Sequence, residues 1–208
     1  NRFDTQLLFN QCNNYYFLKE LKQIKKLSFK GYGVEVKPVT PRDLNYLRKS
    51  RNSLASNFID PIYITDAKQR LWYENMIKDG NIAFWVVWQR GHRVGSISFD
   101  IKSNNQKNNF DMGMYVWSQK YKHGLLGISI ILVQLDLVFY YLHLNSVETS
   151  PKKHNKKAIA FNKKLGYIKI NEDSKFVYIR MDKNRYELKK KKFDRYFKKC
   201  NFLEVINS

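Results

Sequence analysis

The sequence has few cysteines and no obvious boundary or targeting signals. Its two cysteines, Cys12 and Cys200, lie near opposite ends of the 208 residues and form no C-x-x-C pair, so we expect neither a disulfide framework nor a metal site. This cysteine usage is typical of a reduced, cytoplasmic protein. No Gly/Ser linker, internal repeat or signal-peptide pattern is present either. We therefore predict one main domain at residues 31–183, with an N-terminal arm at 1–30 and a C-terminal extension at 184–208.

Acidic residues are scarce relative to basic ones. The chain has 18 Asp and Glu against 38 Lys and Arg, so its formal net charge is +20. An excess of this size indicates a polyanionic partner, such as nucleic acid, an acidic membrane or a phosphorylated ligand. However, only ten of the basic residues are arginines, and a coding bias toward lysine is an equally good explanation. Charge alone leaves the two readings open.

One apolar stretch, residues 125–144, is as long as a membrane span. It contains Gln134, Asp136 and His143, and an Asp at the bilayer centre costs about 2.5 to 3.5 kcal/mol. We therefore predict a buried helix in a protein without a membrane span.

Hydrophobic periodicity and turn signals predict an α+β domain with a mixed, mostly antiparallel sheet flanked by helices. Thr40 and Thr65 are the predicted N-caps of two early helices, and the tripeptide at 90–92 predicts a hairpin turn. The predicted elements are, in order, a helix at 15–28, a strand at 34–39, helices at 41–53 and 66–79, strands at 82–88, 94–101 and 110–117, helices and strands alternating at 127–143, 147–149, 156–165 and 167–170, and a strand at 176–181.

The most informative motif is the segment 154–167, HNKKAIAFNKKLGY. Physically it predicts a helix that Gly166 ends. Together with the long helix and the V-E strand before it, the segment resembles the second half of the GNAT acyltransferase superfamily, and the similarity in element order extends over about 34–181. The sequence is closest in character to members that acetylate amino sugars, as in pseudaminic-acid-type pathways, and to ribosomal-protein N-acetyltransferases. The resemblance implies a sheet that splays at a cleft for acetyl-CoA, which donates its acetyl group to a primary amine by direct attack.

The resemblance also implies which residues bind the cosubstrate. The backbone amides of Tyr115, Val116 and Trp117 are expected to pair with the pantetheine arm, and that of Val116 to stabilise the thioester oxyanion. The pyrophosphate loop of the family has the pattern R/Q-x-x-G-x-G/A, but here a leucine occupies the position of the middle glycine. Two alternatives remain open: the loop binds acyl-CoA with a shifted turn, or it binds acyl-CoA poorly or not at all. The loop residues expected to bind are Lys122, His123, Gly124, Leu125, Leu126 and Gly127.

A carboxylate is expected to take the proton of the amine. Asp111 on the cofactor strand and Glu148 on the next strand are the candidates, although either could form a structural ion pair instead. Asn155 resembles the family's asparagine that contacts pantetheine, and it could also cap its helix. Asn162 occupies the position of the family's tyrosine acid, and an amide cannot donate a proton near neutral pH. Water, Tyr115 or Tyr167 are the alternatives for that task.

The acceptor is expected to bind between the first two helices of the domain. Arg51 could hold a phosphate, Asn52 is a further candidate for substrate binding, and Trp72 or Tyr73 could stack on a base or sugar. The alternative, which their helical spacing favours, is that the aromatic residues belong to the core. The acceptor expected from the resemblance is a small amine, namely a nucleotide-linked amino sugar.

The C-terminal extension is strongly basic. Residues 183–199 contain nine basic and two acidic residues, a local charge of 9 minus 2, or +7. The spacing of Tyr186, Phe193, Phe197 and Cys200 predicts a basic amphipathic helix. Its aromatic seam is expected to dock on the core or on a second subunit of a homodimer, with contact to RNA, the ribosome or an anionic membrane as the sharper alternatives. Accordingly, a protein- or ribosome-directed acetyltransferase and a non-catalytic nucleic-acid-associated module remain as alternative functions.

Overall fold

The computed structural model describes residues 19–53, 62–102, 109–117, 125–197 and 202–206. Within them, the helical residues 19–24 are followed along the chain by nine strands and five further α-helices. The strands are β1 (Ser28–Gly31), β2 (Val34–Pro38), β3 (Ile82–Gln89), β4 (His92–Lys102), β5 (Asn109–Val116), β6 (Ser146–Thr149), β7 (Ile168–Glu172), β8 (Val177–Asp182) and β9 (Glu204–Ile206). The helices are α1 (Leu44–Ser53), α2 (Asp66–Asp79), α3 (Leu126–Asp136), α4 (Lys156–Leu165) and α5 (Lys183–Phe193).

The strands form two antiparallel sheets, so the predicted α+β class with a mostly antiparallel sheet is confirmed. One sheet has six strands in the order β5-β4-β3-β2-β1-β9, and the other has three in the order β6-β8-β7. The edge strands β5 and β6 lie side by side, yet no ladder of hydrogen bonds joins them in the described part of the chain. The sheet is therefore split between β5 and β6.

Local signals place several element boundaries where the sequence predicts them. Thr65 caps α2 by accepting a hydrogen bond from the Lys68 amide, and Gly80 ends that helix with a left-handed φ of 69°, as the usual C-cap geometry requires. Arg90 and Gly91 both have positive φ, 49° and 76°, which is the type I′ turn that joins twisted strands. These boundaries depend on neighbouring residues alone, and the predictions for them are confirmed.

The six-stranded sheet carries a hydrophobic cluster on each face. On one face α1 and α2 pack over Val86 and Trp117. On the other, α3 packs over Trp85, Val87 and neighbouring strand residues. Successive side chains of β3 point to opposite faces of the sheet, and they therefore pack into different clusters.

The long apolar segment is a buried helix, as predicted, but its end differs. The α-helix stops at Asp136, and Leu137–Tyr141 form one π-helical turn in which the Leu142 amide donates to Leu137 O at 2.8 Å. No helix in the described ranges is long and apolar enough to cross a membrane. The side-chain amide of Gln134 donates hydrogen bonds to the backbone carbonyls of Ser98 (3.2 Å) and Gly113 (3.0 Å).

Asp136, a further buried polar residue of α3, anchors the basic C-terminal helix. Its carboxylate accepts hydrogen bonds from the hydroxyls of Tyr32 and Tyr186, the latter at 2.5 Å, and lies 2.9 Å from Nζ of Lys190. Burial raises the pKa of both tyrosines, so both remain protonated donors. Because Tyr186 and Lys190 belong to α5 and Tyr32 to the β1–β2 turn, one carboxylate joins three segments.

The aromatic seam of the C-terminal extension packs on the core of the same chain. Tyr186 and Phe197 are 1% and 8% exposed, and Phe193 packs against the same cluster. Cys200 lies outside the described residues. Of the arrangements that the sequence left open, the structure shows docking on the core.

The described parts of the N-terminal arm and the C-terminal extension depart from the sequence prediction because each includes a strand. The predicted helix at 15–28 is helical over 19–24, with Leu21 and Ile24 buried, and Ser28 already begins β1. After the basic helix, β9 pairs with β1, with Ser28 opposite Ile206. Neither strand was predicted.

We expect Asp136→Ala to destabilise the protein strongly. The substitution leaves the Lys190 ammonium and two tyrosine hydroxyls without their buried partner, and breaking a buried ion pair in this way costs about 3 to 5 kcal/mol. Equilibrium unfolding in urea measures the change. The matched control is Glu148→Ala, which breaks an ion pair with Arg180 that is about half exposed on both sides and should cost below about 1 kcal/mol. Similar losses in the two variants would contradict the assigned role of Asp136.

Candidate active site

The split between β5 and β6 opens into a cavity of about 850 Å³. One part of its wall comes from α1, α2 and the facing side of β3 and β4, and another from α3, β6 and α4. The cavity thus passes from one face of the six-stranded sheet, around the β5 edge, to the other.

The register of β5 determines which of its amides face this gap. The Trp117 amide donates to Val94 O at 3.2 Å, and Tyr115 and Val116 stand opposite Ser96 and Gly95. Because successive amides of an antiparallel strand point to opposite edges, the Tyr115 amide also turns toward β4, whereas the Val116 amide turns toward β6. The expectations that Tyr115 and Trp117 offer their amides to the gap are therefore wrong, and the roles of the Val116 amide in binding pantetheine and the oxyanion stay predictions.

The N-terminus of α3 contributes a positive helix end to the cavity. The helix starts after Leu125, and its first hydrogen bond runs from the Ser129 amide to Leu125 O (2.8 Å). Gly127 lines the cavity, while the Leu126 side chain is buried in the core. The first amides of a helix have no partner within it and favour anions. The other predicted loop residues, Lys122, His123 and Gly124, lie outside the described residues.

Both asparagines of the α4 motif lie on the cavity wall. Asn155 is the N-cap, with Oδ1 accepting from the Ala158 amide at 3.1 Å. Asn162 donates from Nδ2 to Ala158 O at 2.9 Å. Capping and a ligand contact are compatible for Asn155, because its own amide group is a donor that the cap does not use.

Two buried polar atoms of uncharged cavity-lining side chains lack hydrogen-bond partners within the described residues. They are Oε1 of Gln134, whose side chain is fully buried, and the hydroxyl of Tyr167, which is 4% exposed. Burial also raises the pKa of Tyr167, so its hydroxyl stays protonated. An acceptor and a donor of this kind fit an elongated ligand with amide and carbonyl groups, such as a pantetheine arm.

The carboxylates are arranged differently from the sequence prediction. Glu148 is exposed and accepts from Arg180 Nε at 2.9 Å, so it does not face the cavity. Asp111 stands opposite Asp100 in the β4–β5 register, and its side chain lies outside the described part. Asp100 lines the cavity and was missed.

A signal for Asp100 was present in the sequence. Ser96, Ser98 and Asp100 alternate with apolar residues along β4, and the cross-strand partners Tyr115 and Phe84 place this polar row on the α1–α2 face. A polar row on the inner face of a central strand is unusual, because such positions normally pack into the core. It indicates an open cavity rather than packed side chains.

The predicted acceptor residues separate into two pairs. Arg51 and Trp72 line the cavity, with the Trp72 ring 5.2 Å from that of Phe84. Asn52 instead exchanges two 2.9 Å hydrogen bonds with the backbone of Ile64, and Tyr73 packs in the α1–α2 cluster. Both therefore have structural roles here. Lys68 and Gln69 of α2 also line the cavity and were not predicted.

Comparison with known proteins identifies the family. A family model for the acetyltransferase (GNAT) domain matches residues 34–168. Among solved structures, the chain is similar to apo FdhC, a nucleotide-linked sugar GNAT, with a TM-score of 0.69, 19% identity, and 82% of this chain and 98% of FdhC covered.

Two further structures share the fold. Spermidine N-acetyltransferase from Vibrio cholerae, in complex with CoA and spermine, gives a TM-score of 0.62 at 15% identity, covering 74% of this chain and 98% of that enzyme. The N-acetyltransferase PseH from Campylobacter jejuni gives 0.57 at 17% identity, covering 73% and 99%. A search of curated protein sequences finds no match. Since the family model spans more than half of the chain, the protein belongs to the GNAT acetyltransferase family.

Proposed function

We propose that the protein transfers the acetyl group of acetyl-CoA to the primary amine of a nucleotide-linked amino sugar. The observation that carries the proposal is the continuous cavity around the free edge of β5. It offers backbone amides and a helix N-terminus for the donor on one side, and a carboxylate with cationic and aromatic groups for the acceptor on the other.

The donor side suits a long anionic cosubstrate. The β5 edge presents the Val116 amide to a pantetheine arm, which would add to the sheet much as an extra strand does. The α3 N-terminus at Gly127 faces an anion favourably. Lys152 and Lys157 also lie on the cavity wall, where their charges attract the phosphates of CoA.

The acceptor side favours an anionic amine over a polycation. Arg51 and Lys68 line it together with Trp72 and Phe84. Two cations would repel spermine or a similar polyamine, whereas they would attract a diphosphate, and the neighbouring rings offer an apolar face for a sugar or base. Among the substrates named for the similar structures, a nucleotide-linked sugar therefore fits best.

The residues suggest how the amine is activated. Asp100 is the carboxylate on the described cavity wall, and it can accept the amine proton directly or through one water. The nitrogen lone pair then attacks the thioester carbonyl carbon. The Val116 amide, which turns into the gap, donates to the oxyanion that develops.

The first test of this function is ligand binding followed by an acceptor panel. We expect CoA at 100 times its dissociation constant to stabilise the protein by about 2.7 kcal/mol, measured as a thermal shift. Free-thiol release should then be fastest with nucleotide-linked amino sugars and slow with spermidine. Absence of any stabilisation by CoA would falsify the enzyme assignment, and preference for the polyamine would overturn the acceptor.

A second prediction distinguishes the candidate bases. We expect Asp100→Asn to lower kcat by about 10² to 10⁴, the usual contribution of a general base, with CoA binding retained. Glu148→Gln removes one of the two carboxylates expected from the sequence; it points to solvent, so the substitution should leave kcat unchanged. Steady-state kinetics of both variants decide the assignment, because the reverse pattern would exclude Asp100.

A third prediction concerns the phosphate contacts of the acceptor. Charged hydrogen bonds are worth about 1.5 to 3 kcal/mol, so Lys68→Ala should raise KM for the nucleotide-linked sugar at least tenfold. KM for the same amino sugar without its nucleotide should not change. Lys78→Ala, on the same helix but away from the cavity wall, is the matched control. Equal effects on both acceptors would show that Lys68 does not contact the nucleotide.

A further inference from the structure

We propose that Asn52 is a positioning residue, which fixes the separation of the two cationic groups that hold the phosphates of the acceptor. The inference rests on the proposed function, and it names the part of the chain that makes the acceptor side selective for a diphosphate. Asn52 lies directly beside the cavity-lining Arg51, but its own side chain bonds to the backbone of Ile64.

The carboxamide of Asn52 joins the end of α1 to the segment that leads into α2. Its Nδ2 donates to Ile64 O, and its Oδ1 accepts from the Ile64 amide, both at 2.9 Å. Such a reciprocal pair of bonds also joins opposite residues of antiparallel strands. It fixes the orientation of the two segments as well as their distance, and it requires a donor and an acceptor side by side, which a carboxamide offers. We call this pair of bonds the Asn52–Ile64 clamp.

The first cation lies at the α1 end of the clamp. Arg51 precedes Asn52 in the last turn of α1 and lines the cavity. Its charge acts on Tyr115 of β5, which lines the same cavity. Burial raises the pKa of the Tyr115 phenol to about 12, and the positive charge of Arg51 offsets part of that rise, as a nearby cation does for any acid. The guanidinium of Arg51 is therefore directed toward the β5 side of the acceptor cavity.

The second cation lies at the α2 end of the clamp. Thr65 follows Ile64 and caps α2, with Oγ1 accepting from the Lys68 amide at 3.3 Å. Lys68 and Trp72 are one turn apart and both line the cavity. The contact between the rings of Trp72 and Phe84 turns this face of α2 toward the sheet. Through Thr65, the clamp thus determines where Lys68 enters the cavity.

The separation of two cations matters most for a ligand that carries two adjacent phosphates. Charge-assisted hydrogen bonds are short and directional, so a displacement of about 1 Å is enough to lose one of them. An amino sugar without phosphate makes no such contact with Arg51 or Lys68, and CoA is expected on the other side of the cavity. Loss of the clamp should therefore weaken one class of ligand and leave the others unchanged.

The test measures binding of a nucleoside diphosphate to protein that is already saturated with CoA, so that the donor side is filled. Uridine diphosphate and thymidine diphosphate are the probes, and calorimetry gives their dissociation constants. In Asn52→Ala both constants should rise about tenfold, the effect of losing one charged hydrogen bond. The change should be equal for the two bases, because the affected contacts are to phosphate. The matched control is Asn45→Ala on the same helix, where the side chain accepts from Arg48 within α1, and it should bind both probes as wild type does.

A double variant distinguishes positioning from a general loss of structure. In the background of Lys68→Ala, adding Asn52→Ala should weaken the probes less than about twofold further, because the contact that the clamp supports is already gone. Losses that multiply, giving about 100-fold in the double variant, would overturn the assignment. The affinity for CoA should be the same in all these variants, and a clear fall in Asn52→Ala would count against a role confined to the acceptor.

Steady-state kinetics give an independent readout. In Asn52→Ala, KM for the nucleotide-linked amino sugar should rise about tenfold, while kcat and the KM for the same sugar without its nucleotide stay at the wild-type values. Equal KM values in wild type and variant would reject the role of Asn52 and leave the proposed function standing. Failure of CoA-saturated wild type to bind either diphosphate would instead reject the nucleotide-linked acceptor, and the role of Asn52 with it.

Discussion

The rotation of α3 about its own axis is the constraint on which the site depends. This helix is apolar on nearly every side, and a helix of that kind has no single face that hydrophobic burial alone would select. The two polar residues Gln134 and Asp136 determine which way the helix faces. They are two residues apart, about 200° around the helix, so Gln134 reaches the β4–β5 backbone while Asp136 reaches Tyr32, Tyr186 and Lys190. Any other rotation would leave a buried amide or carboxylate without partners, which is more costly than moving apolar contacts.

From this follows a link between the C-terminal extension and the cavity. The basic helix α5 supplies two of the groups that satisfy Asp136, and the same helix α3 presents Gly127 and Gln134 to the cavity wall. The extension is thus part of what positions the donor side, although none of its described residues lines the cavity. The lysines of the extension do not all have the same role, because Lys190 forms an ion pair with the buried Asp136.

How much could be predicted from the sequence depended on the range of the interaction. Caps at Thr65 and Gly166 and the turn at Arg90 are set by neighbouring residues, and they were predicted correctly. β1 and β9 pair across almost the whole chain, and nothing local in these short segments indicates their partner. The site shows the same limit, because strand alternation leaves two opposite readings until the register is known. The register that the structure shows turns the Glu148 side chain to solvent and the Trp117 amide to β4.

The positions of the basic residues in the structure indicate what they bind, which the total net charge could not. A ternary complex of the proposed kind brings two anionic substrates into one cavity of about 850 Å³, and their phosphates repel one another unless cations lie between or around them. Arg51 and Lys68 lie at one end of that cavity, and Lys152 and Lys157 near the other. Arg51 and Lys152 are partly buried, and partly buried charges are screened less by salt than exposed ones, so these two would contribute more to binding than their share of +20 suggests. The excess charge of the chain can therefore serve small phosphorylated ligands without a nucleic acid partner.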